Sequence, residues 1–199
     1  MTSLALIAIL IAIAITFDFL NGFNDSANVV ATIISSQAMS PRSALTLAAI
    51  ANFVGPFIFG VAVAKTIGSE VAHPGAITVT VVLAALLSAI GWDLFTWYFG
   101  IPASSSHALI GGIVGAVVIS AGFQALEGSG LIKVALALFT SPLLGFVAGW
   151  LTMTLMRFAA RNATPRVNEF FKRAQLPTGF ILALSHGTND AQKTMGIIT

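Results

Sequence analysis

Five continuous apolar runs, roughly 3–37, 43–66, 77–99, 102–122 and 131–157, are separated by short polar punctuation and followed by a basic stretch and a last apolar segment. Runs of this length predict membrane-spanning α-helices, whereas a β-barrel would show short segments of alternating apolar and polar residues. The first run is too long for one upright span. At about 1.5 Å per residue it exceeds a hydrocarbon core of about 30 Å, so it should tilt steeply or break, and Asn21 to Asn28 is the expected break. No basic n-region and no convincing small-residue cleavage site marks its start as a signal peptide.

Polar residues inside these runs carry the candidate chemistry. Gly22-Phe23-Asn24-Asp25 recurs in form as Gly187-Thr188-Asn189-Asp190. An ionised Asp beside a primary amide in an apolar segment costs several kcal/mol unless it meets an ion, a substrate or a partner. Two such interruptions predict an internally repeated transporter whose broken helices meet near the bilayer midplane. Asn24 and Asn28 share one helical face, with Asp25 about 100° round. Together they offer hard-oxygen ligands for Na⁺ and N–H donors for an anion. Gly22 would ease unwinding, freeing backbone carbonyls for a cation and a half-helix N-terminus for an anion. The plainer alternative is that Asn24 and Asn28 hydrogen-bond neighbouring helices together.

Ile101-Pro102-Ala103-Ser104-Ser105-Ser106-His107 forms a second polar block. Ser104, Ser105 and Ser106 at a helix start or hairpin tip would supply hydroxyl and backbone donors to an oxyanion, or else cap a helix in an interfacial turn. His107 is either a hydrogen-bonded structural residue or a proton shuttle. Asp93, within Gly91-Trp92-Asp93-Leu94-Phe95-Thr96-Trp97, either stays hydrated in an aromatic interface belt or sits on a hairpin arm beside the serines. In the second case its carboxylate would bind a co-transported cation, with Thr96 assisting. Lys193 would neutralise Asp190, contact an anion or snorkel to the interface. Asp18 is a second cation ligand or part of the polar lining.

Charge placement gives a topology. If each run crosses once, Arg42, Arg157, Arg161, Arg166, Lys172 and Arg173 share one side while Lys65 and Lys133 share the other, so the first side is cytoplasmic and the N-terminus lies outside. The helices bearing Asn24-Asp25 and Asn189-Asp190 then enter from opposite sides, as in an inverted repeat. A re-entrant hairpin in the fourth run would change that parity. The expected organisation is a first repeat over 1–157, a basic cytoplasmic linker over 158–176 and the start of a second repeat over 177–199, with Pro177 at its opening. The linker reads as a solvated loop or an amphipathic helix on anionic headgroups.

Composition narrows the class. The chain is 57% hydrophobic and 8% charged, against about 25% charged in soluble domains, with a mean hydropathy of +0.95. An all-α integral membrane protein of the cell (inner) membrane is the expectation. No Cys is present, which excludes disulfides and thiol chemistry, and a net charge of +2 is too small for a nucleic-acid binder. Neither His-Glu-x-x-His nor Gly-x-Ser-x-Gly occurs, so an intramembrane enzyme using His107 and His186 is disfavoured.

Taken in order, the Gly22–Asn28 block, the Trp92-Asp93…Pro102–His107 block and Ser185-His186-Gly187-Thr188-Asn189-Asp190-Ala191-Gln192-Lys193 resemble the inorganic phosphate transporter (PiT) family over essentially the whole chain. The resemblance implies an inverted-repeat symporter moving phosphate with Na⁺ or H⁺ and needing no cofactor beyond that ion. It also implies that Asn24, Asp25, Asn28, Asn189, Asp190 and Ser104–Ser106 line the substrate site. From their carboxylates, Asp25, Asp93 and Asp190 are the expected cation ligands. The family's second repeat should carry its own Pro-x-Ser-Ser/Thr hairpin, which is not found before Thr199. The expectation is therefore an incomplete second repeat: a fragment, a shortened form, or a subunit completed by a second polypeptide or by another copy of itself.

Three alternatives compete with a phosphate symporter. A sulfate or other oxyanion carrier would share the architecture, but HPO₄²⁻ and H₂PO₄⁻ donate hydrogen bonds that sulfate cannot, and an ionised Asp is the matching acceptor. The enzyme is the second. A channel or purely structural subunit is the third, and paired broken helices speak against it, because a pore wants a ring of ligands rather than two moving halves.

Overall fold

A computed structural model describes residues 3–59, 71–165 and 167–198. The described residues form six α-helices: α1 (Ser3–Ser35), α2 (Pro41–Phe59), α3 (Val79–Phe99), α4 (Ser105–Ala121), α5 (Gly128–Ala159) and α6 (Val167–Ile198). Short 3-10 turns at Pro74–Ala76 and Phe123–Ala125 complete the described elements. The all-helical expectation holds. α1, α3 and α5 are long and apolar enough to cross a membrane, and α4 is a shorter apolar helix.

α3 and α4 form one antiparallel hairpin, and local chemistry fixes both of its ends. At the start of α3, the hydroxyl oxygen of Thr78 accepts the Val81 N–H at 3.3 Å, an N-cap. At its end Gly100 adopts φ 64°, the left-handed conformation that glycine tolerates best. The Gly100 and Ile101 N–H groups then return to the carbonyls of Trp97 and Thr96 at 3.1 and 2.9 Å. Pro102 cannot continue a helix, so the chain turns and restarts at Ser105. The base is tied by an Ala72–Leu126 bridge and by the Glu127 N–H to the Val71 carbonyl at 3.1 Å. His73 Nδ1 lies 2.7 Å from Glu127 Oε1 across the same base.

α1 organises the rest, because its two halves bury different partners. Leu10, Ala14 and Phe17 pack on the hairpin, against Val82, Leu86 and Ala89 of α3 and Leu109 and Ile113 of α4. Val29, Val30 and Ile33 pack instead with Ala44, Ala48 and Ala51 of α2 and Ala183 of α6. The polar segment Asn21–Asn28 lies between these two apolar clusters, at the level of the hairpin tip. α6 runs antiparallel to α1 in a definite register. The Ser36 hydroxyl donates to Gln175 Oε1 at 2.6 Å, His186 sits opposite Asp25, and the Thr194 hydroxyl donates to Asp18.

Several expectations are corrected. α1 does not break: it is one helix through Asn21–Asn28, and a Cβ on Gly22 would meet nothing within 4 Å. An intact helix satisfies every interior backbone group, which apolar surroundings demand, while Asn and Asp side chains still deliver polarity to its flank. α6 likewise runs unbroken past Asn189-Asp190 and contains Pro177. α5 ends at Ala159 and the next described helix begins at Val167, inside the segment expected as the basic linker.

α3 and α4 begin and end at one shared base. Arg42, Lys172 and Arg173 lie at the end of the bundle where Ser36 meets Gln175. Lys65, Ser69, Arg166 and the last part of the 43–66 run lie outside the described residues. α5 stands apart, with only Gly130 buried.

Candidate functional site

Where the hairpin tip meets the middle of α1, a cavity of about 300 Å³ opens between Asn21, Asn24, Asp25 and Asn28 on one side and Asp93, Thr96 and Ser105 on the other. Residues 100–103 of the tip close one wall. Asp93 is only 3% exposed and Asn21 only 1%. Asp93 Oδ2 and both polar atoms of the Asn21 amide make no hydrogen bond within the described residues. Buried polar groups are normally paired, so these unpaired atoms single out the cavity as the candidate site. Asn28 Nδ2 is 3.4 Å from Asp25 Oδ1, a long contact that leaves the carboxylate available.

Behind this cavity, α6 brings a second set of groups against Asp25. His186 Nε2 lies 3.0 Å from Asp190 Oδ2 and 3.7 Å from Asp25 Oδ2. Lys193 Nζ lies 2.7 Å from Asp190 Oδ1, so the lysine neutralises Asp190, one of the roles open to it from sequence. One helical turn separates His186 from Asp190, which is why both face α1. Their ligand atoms and that of Asp25 all fall within 4.8 Å of one another, the span of a cation's coordination shell. Asp18 accepts from Thr194 farther along the same α1–α6 seam.

The closeness of α6 to α2 rests on Gly187. A Cβ there would overlap the Asn52 backbone, with its carbonyl carbon at 2.6 Å and its Cα and oxygen nearer still. The motif glycine of α6 therefore serves helix–helix approach, the role small residues play in membrane bundles. Gly22 of α1 has no such contact.

Of the residues named from sequence, Asn24, Asp25, Asn28, Asp93 and Ser105 line the cavity, and Asp190 joins through His186. Thr96 also lines it, with its hydroxyl donating to the Trp92 carbonyl at 2.9 Å. Ser104 and Ser106 are half-buried and are not among the cavity-lining residues, and Ser104 occupies the N-cap position without a side-chain cap bond. Asn189 is exposed, about 100° round α6 from Asp190. His107 opens onto a separate groove with Ser88 and Trp92 on another face of the hairpin. Sequence reasoning missed Asn21, Asn52 and Thr194 as site neighbours and gave His186 no transport role. The turn-spaced His186-Asp190 pair was the available signal for the last.

The site can coordinate charge of both signs. Amides, a serine hydroxyl and the first N–H groups of α4 provide donors for an oxyanion, and carboxylates provide acceptors for a cation or an acidic proton.

Comparison with known proteins gives a consistent picture. The chain is 47% identical over 203 residues to a probable low-affinity inorganic phosphate transporter of Bacillus subtilis (strain 168), covering all of this chain and 61% of that protein. It is 35% identical over 223 residues to the low-affinity inorganic phosphate transporter PitA of Escherichia coli (strain K12), covering 97% of this chain and 45% of that one. The chain thus spans roughly half to three fifths of these relatives. Among solved structures, one titled the sodium-dependent phosphate transporter superposes with a TM-score of 0.82 over 98% of this chain and 66% of its own, at 19% identity, a likeness of fold. The family model described as the phosphate transporter family matches residues 21–199, which takes in both Asn-Asp motifs and the hairpin between them. These relatives are named as transporters and not as enzymes, and with that match the chain is an integral membrane protein that belongs to the phosphate transporter family.

Proposed function

We propose that this chain forms the phosphate- and cation-binding part of a secondary active symporter coupled to Na⁺ or H⁺. One observation carries the reading: the Asn24-Asp25 motif of α1, backed by His186 and Asp190 of antiparallel α6, meets the serine tip of a hairpin at an open cavity whose lining includes the buried polar groups of Asn21 and Asp93, with no partner among the described residues. Phosphate accepts hydrogen bonds from Asn24, Asn28 and Ser105 and donates one from its own O–H to a carboxylate, which favours it over sulfate. Asp25 and Asp190 hold the cation, and Asp93 sits within reach as a further carboxylate. The relatives' names support phosphate, and that of the structural neighbour supports Na⁺.

Only Ser105 among the three serines lines the cavity, and this separates anion binding from helix capping. Ser105→Ala should weaken equilibrium phosphate binding by roughly 12- to 160-fold, the worth of one hydrogen bond to a charged group. Ser104→Ala and Ser106→Ala should leave it nearly unchanged. Equal losses at all three positions, or none at Ser105, would remove the hairpin tip from the anion site.

The antiparallel setting of α1 and α6 supports an inverted repeat, with 1–157 as the first repeat and the motif of α6 beginning the second. A further copy or a second polypeptide would supply groups beyond those described. The basic end holding Arg42, Arg157 and Lys172 faces the cytoplasm and the N-terminus faces outward across the cell membrane. In intact cells an impermeant thiol reagent should reach a cysteine at Gln124, on the hairpin base, and not one at Asn162. The reverse pattern would invert the orientation.

A further inference from the structure

Away from the transport site, the outer flank of α2 and α6 forms a groove of about 490 Å³ with a charged head and an apolar floor. Arg42, Ser43 and Thr46 make the head, and Leu47, Ile50 and Phe180 the floor. The order follows from the helix. Arg42, Thr46 and Ile50 repeat every fourth residue and so share one stripe, while Ala44, Ala48 and Ala51 turn inward to the core. From Arg42 to Ile50 the stripe runs about 12 Å at 1.5 Å per residue, from its charged head to its apolar floor.

Arg42 is exposed and has no ion pair among the described residues, unlike Lys193, whose charge is matched by Asp190. Lys172 and Arg173 lie at the same end of the bundle, within a turn of Gln175 and its bond to Ser36. That end gathers Arg42, Lys172 and Arg173 and is electropositive. An unmatched guanidinium directly above an apolar groove complements a molecule with an anionic phosphodiester and an acyl chain, since the planar fork pairs with phosphate oxygens and the floor covers methylenes.

We propose that this groove is a binding site for an anionic phospholipid, with its phosphate on Arg42 and Ser43 and an acyl chain laid along Leu47, Ile50 and Phe180. The occupant is a lipid rather than free phosphate, because half of the groove is hydrocarbon-like and has nothing to offer a bare oxyanion. A lipid here would bear on α2 and α6 together, the pair that carries Gly187 against Asn52. The assignment does not depend on what the central cavity transports.

Native mass spectrometry of the detergent-purified chain tests it, with dioleoylphosphatidylglycerol and dioleoylphosphatidylcholine as probes. The anionic lipid should remain bound and the zwitterionic one should bind about 10-fold less. Arg42→Gln should lower occupancy by the anionic lipid about 10-fold. Ile50→Trp, which fills the floor from an exposed position, should lower it comparably while helical content stays unchanged. Millimolar inorganic phosphate should not displace the lipid. Wild-type occupancy in either variant, equal binding of the two lipids, or displacement by inorganic phosphate would overturn the assignment.

Discussion

Asp25→Asn should abolish cation-coupled phosphate uptake by the intact carrier, with a loss of roughly 100-fold or more, while membrane insertion and yield stay normal. Asn preserves the size and shape of the side chain, and the apolar faces of α1 that pack on the hairpin and on α2 are untouched. What disappears is the charge. Asp25 is the group common to both halves of the site: its carboxylate lines the cavity with Asn24, Asp93 and Ser105, and its other face looks onto His186. Losing it removes a cation ligand and an acceptor for the phosphate proton together, each worth about 1.5–3 kcal/mol as a charge-assisted contact. Uptake measured in cells lacking other phosphate carriers decides the matter. Near-normal rates with unchanged dependence on Na⁺ or pH would take Asp25 out of the mechanism.

Gly187→Val should prevent stable folding, whereas Gly22→Ala should be tolerated or slightly stabilising, although both glycines open the same Gly-x-Asn-Asp pattern. At Gly187 any Cβ collides with the Asn52 main chain, which cannot swing aside as a side chain would. Separating α2 from α6 would loosen the cluster that joins Ala44, Ala48 and Ala51 to Ala183. The expected cost is about 3 kcal/mol or more, the upper range for overpacking. At Gly22 the added methyl meets nothing within 4 Å, and replacing Gly by Ala inside a helix is worth up to about 1 kcal/mol. Thermal unfolding of the purified variants, alongside their monodisperse yield, should separate the two. A Gly187→Val protein as stable as the wild type would mean that the α2–α6 approach is not as close as described.

The contrast between these two glycines also indicates what could be read from the chain before its fold. Asn24, Asp25, Asn28, Asp93 and Ser105 were legible because a charge or amide in an apolar run is costly without a purpose, and the pattern alone exposes it. Their meeting was not legible. It depends on the register of α1 against α6 and on a hairpin whose tip stops level with Asn28, and both follow from packing between distant parts of the chain.

The expectation of a broken α1 failed for a related reason. Length and Gly22 suggested unwinding, but a continuous helix keeps its backbone bonded and can present Asn24, Asp25 and Asn28 from its side. Asn189 was drawn in by its place in the motif. A step of about 100° per residue turns it away when Asp190 faces Asp25. His186 was undervalued because a lone histidine carries little signal until the helix periodicity is used to pair it with Asp190.

Labelled-phosphate counterflow in proteoliposomes containing the purified carrier tests the central claim most directly, with an imposed Na⁺ or pH gradient and sulfate as competitor. Coupled symport predicts that labelled phosphate accumulates transiently above its equilibrium level, that collapse of the coupling-ion gradient removes the driven component, and that sulfate competes poorly. Flux that only runs downhill, without counterflow and indifferent to both gradients, would contradict a carrier built on these motifs.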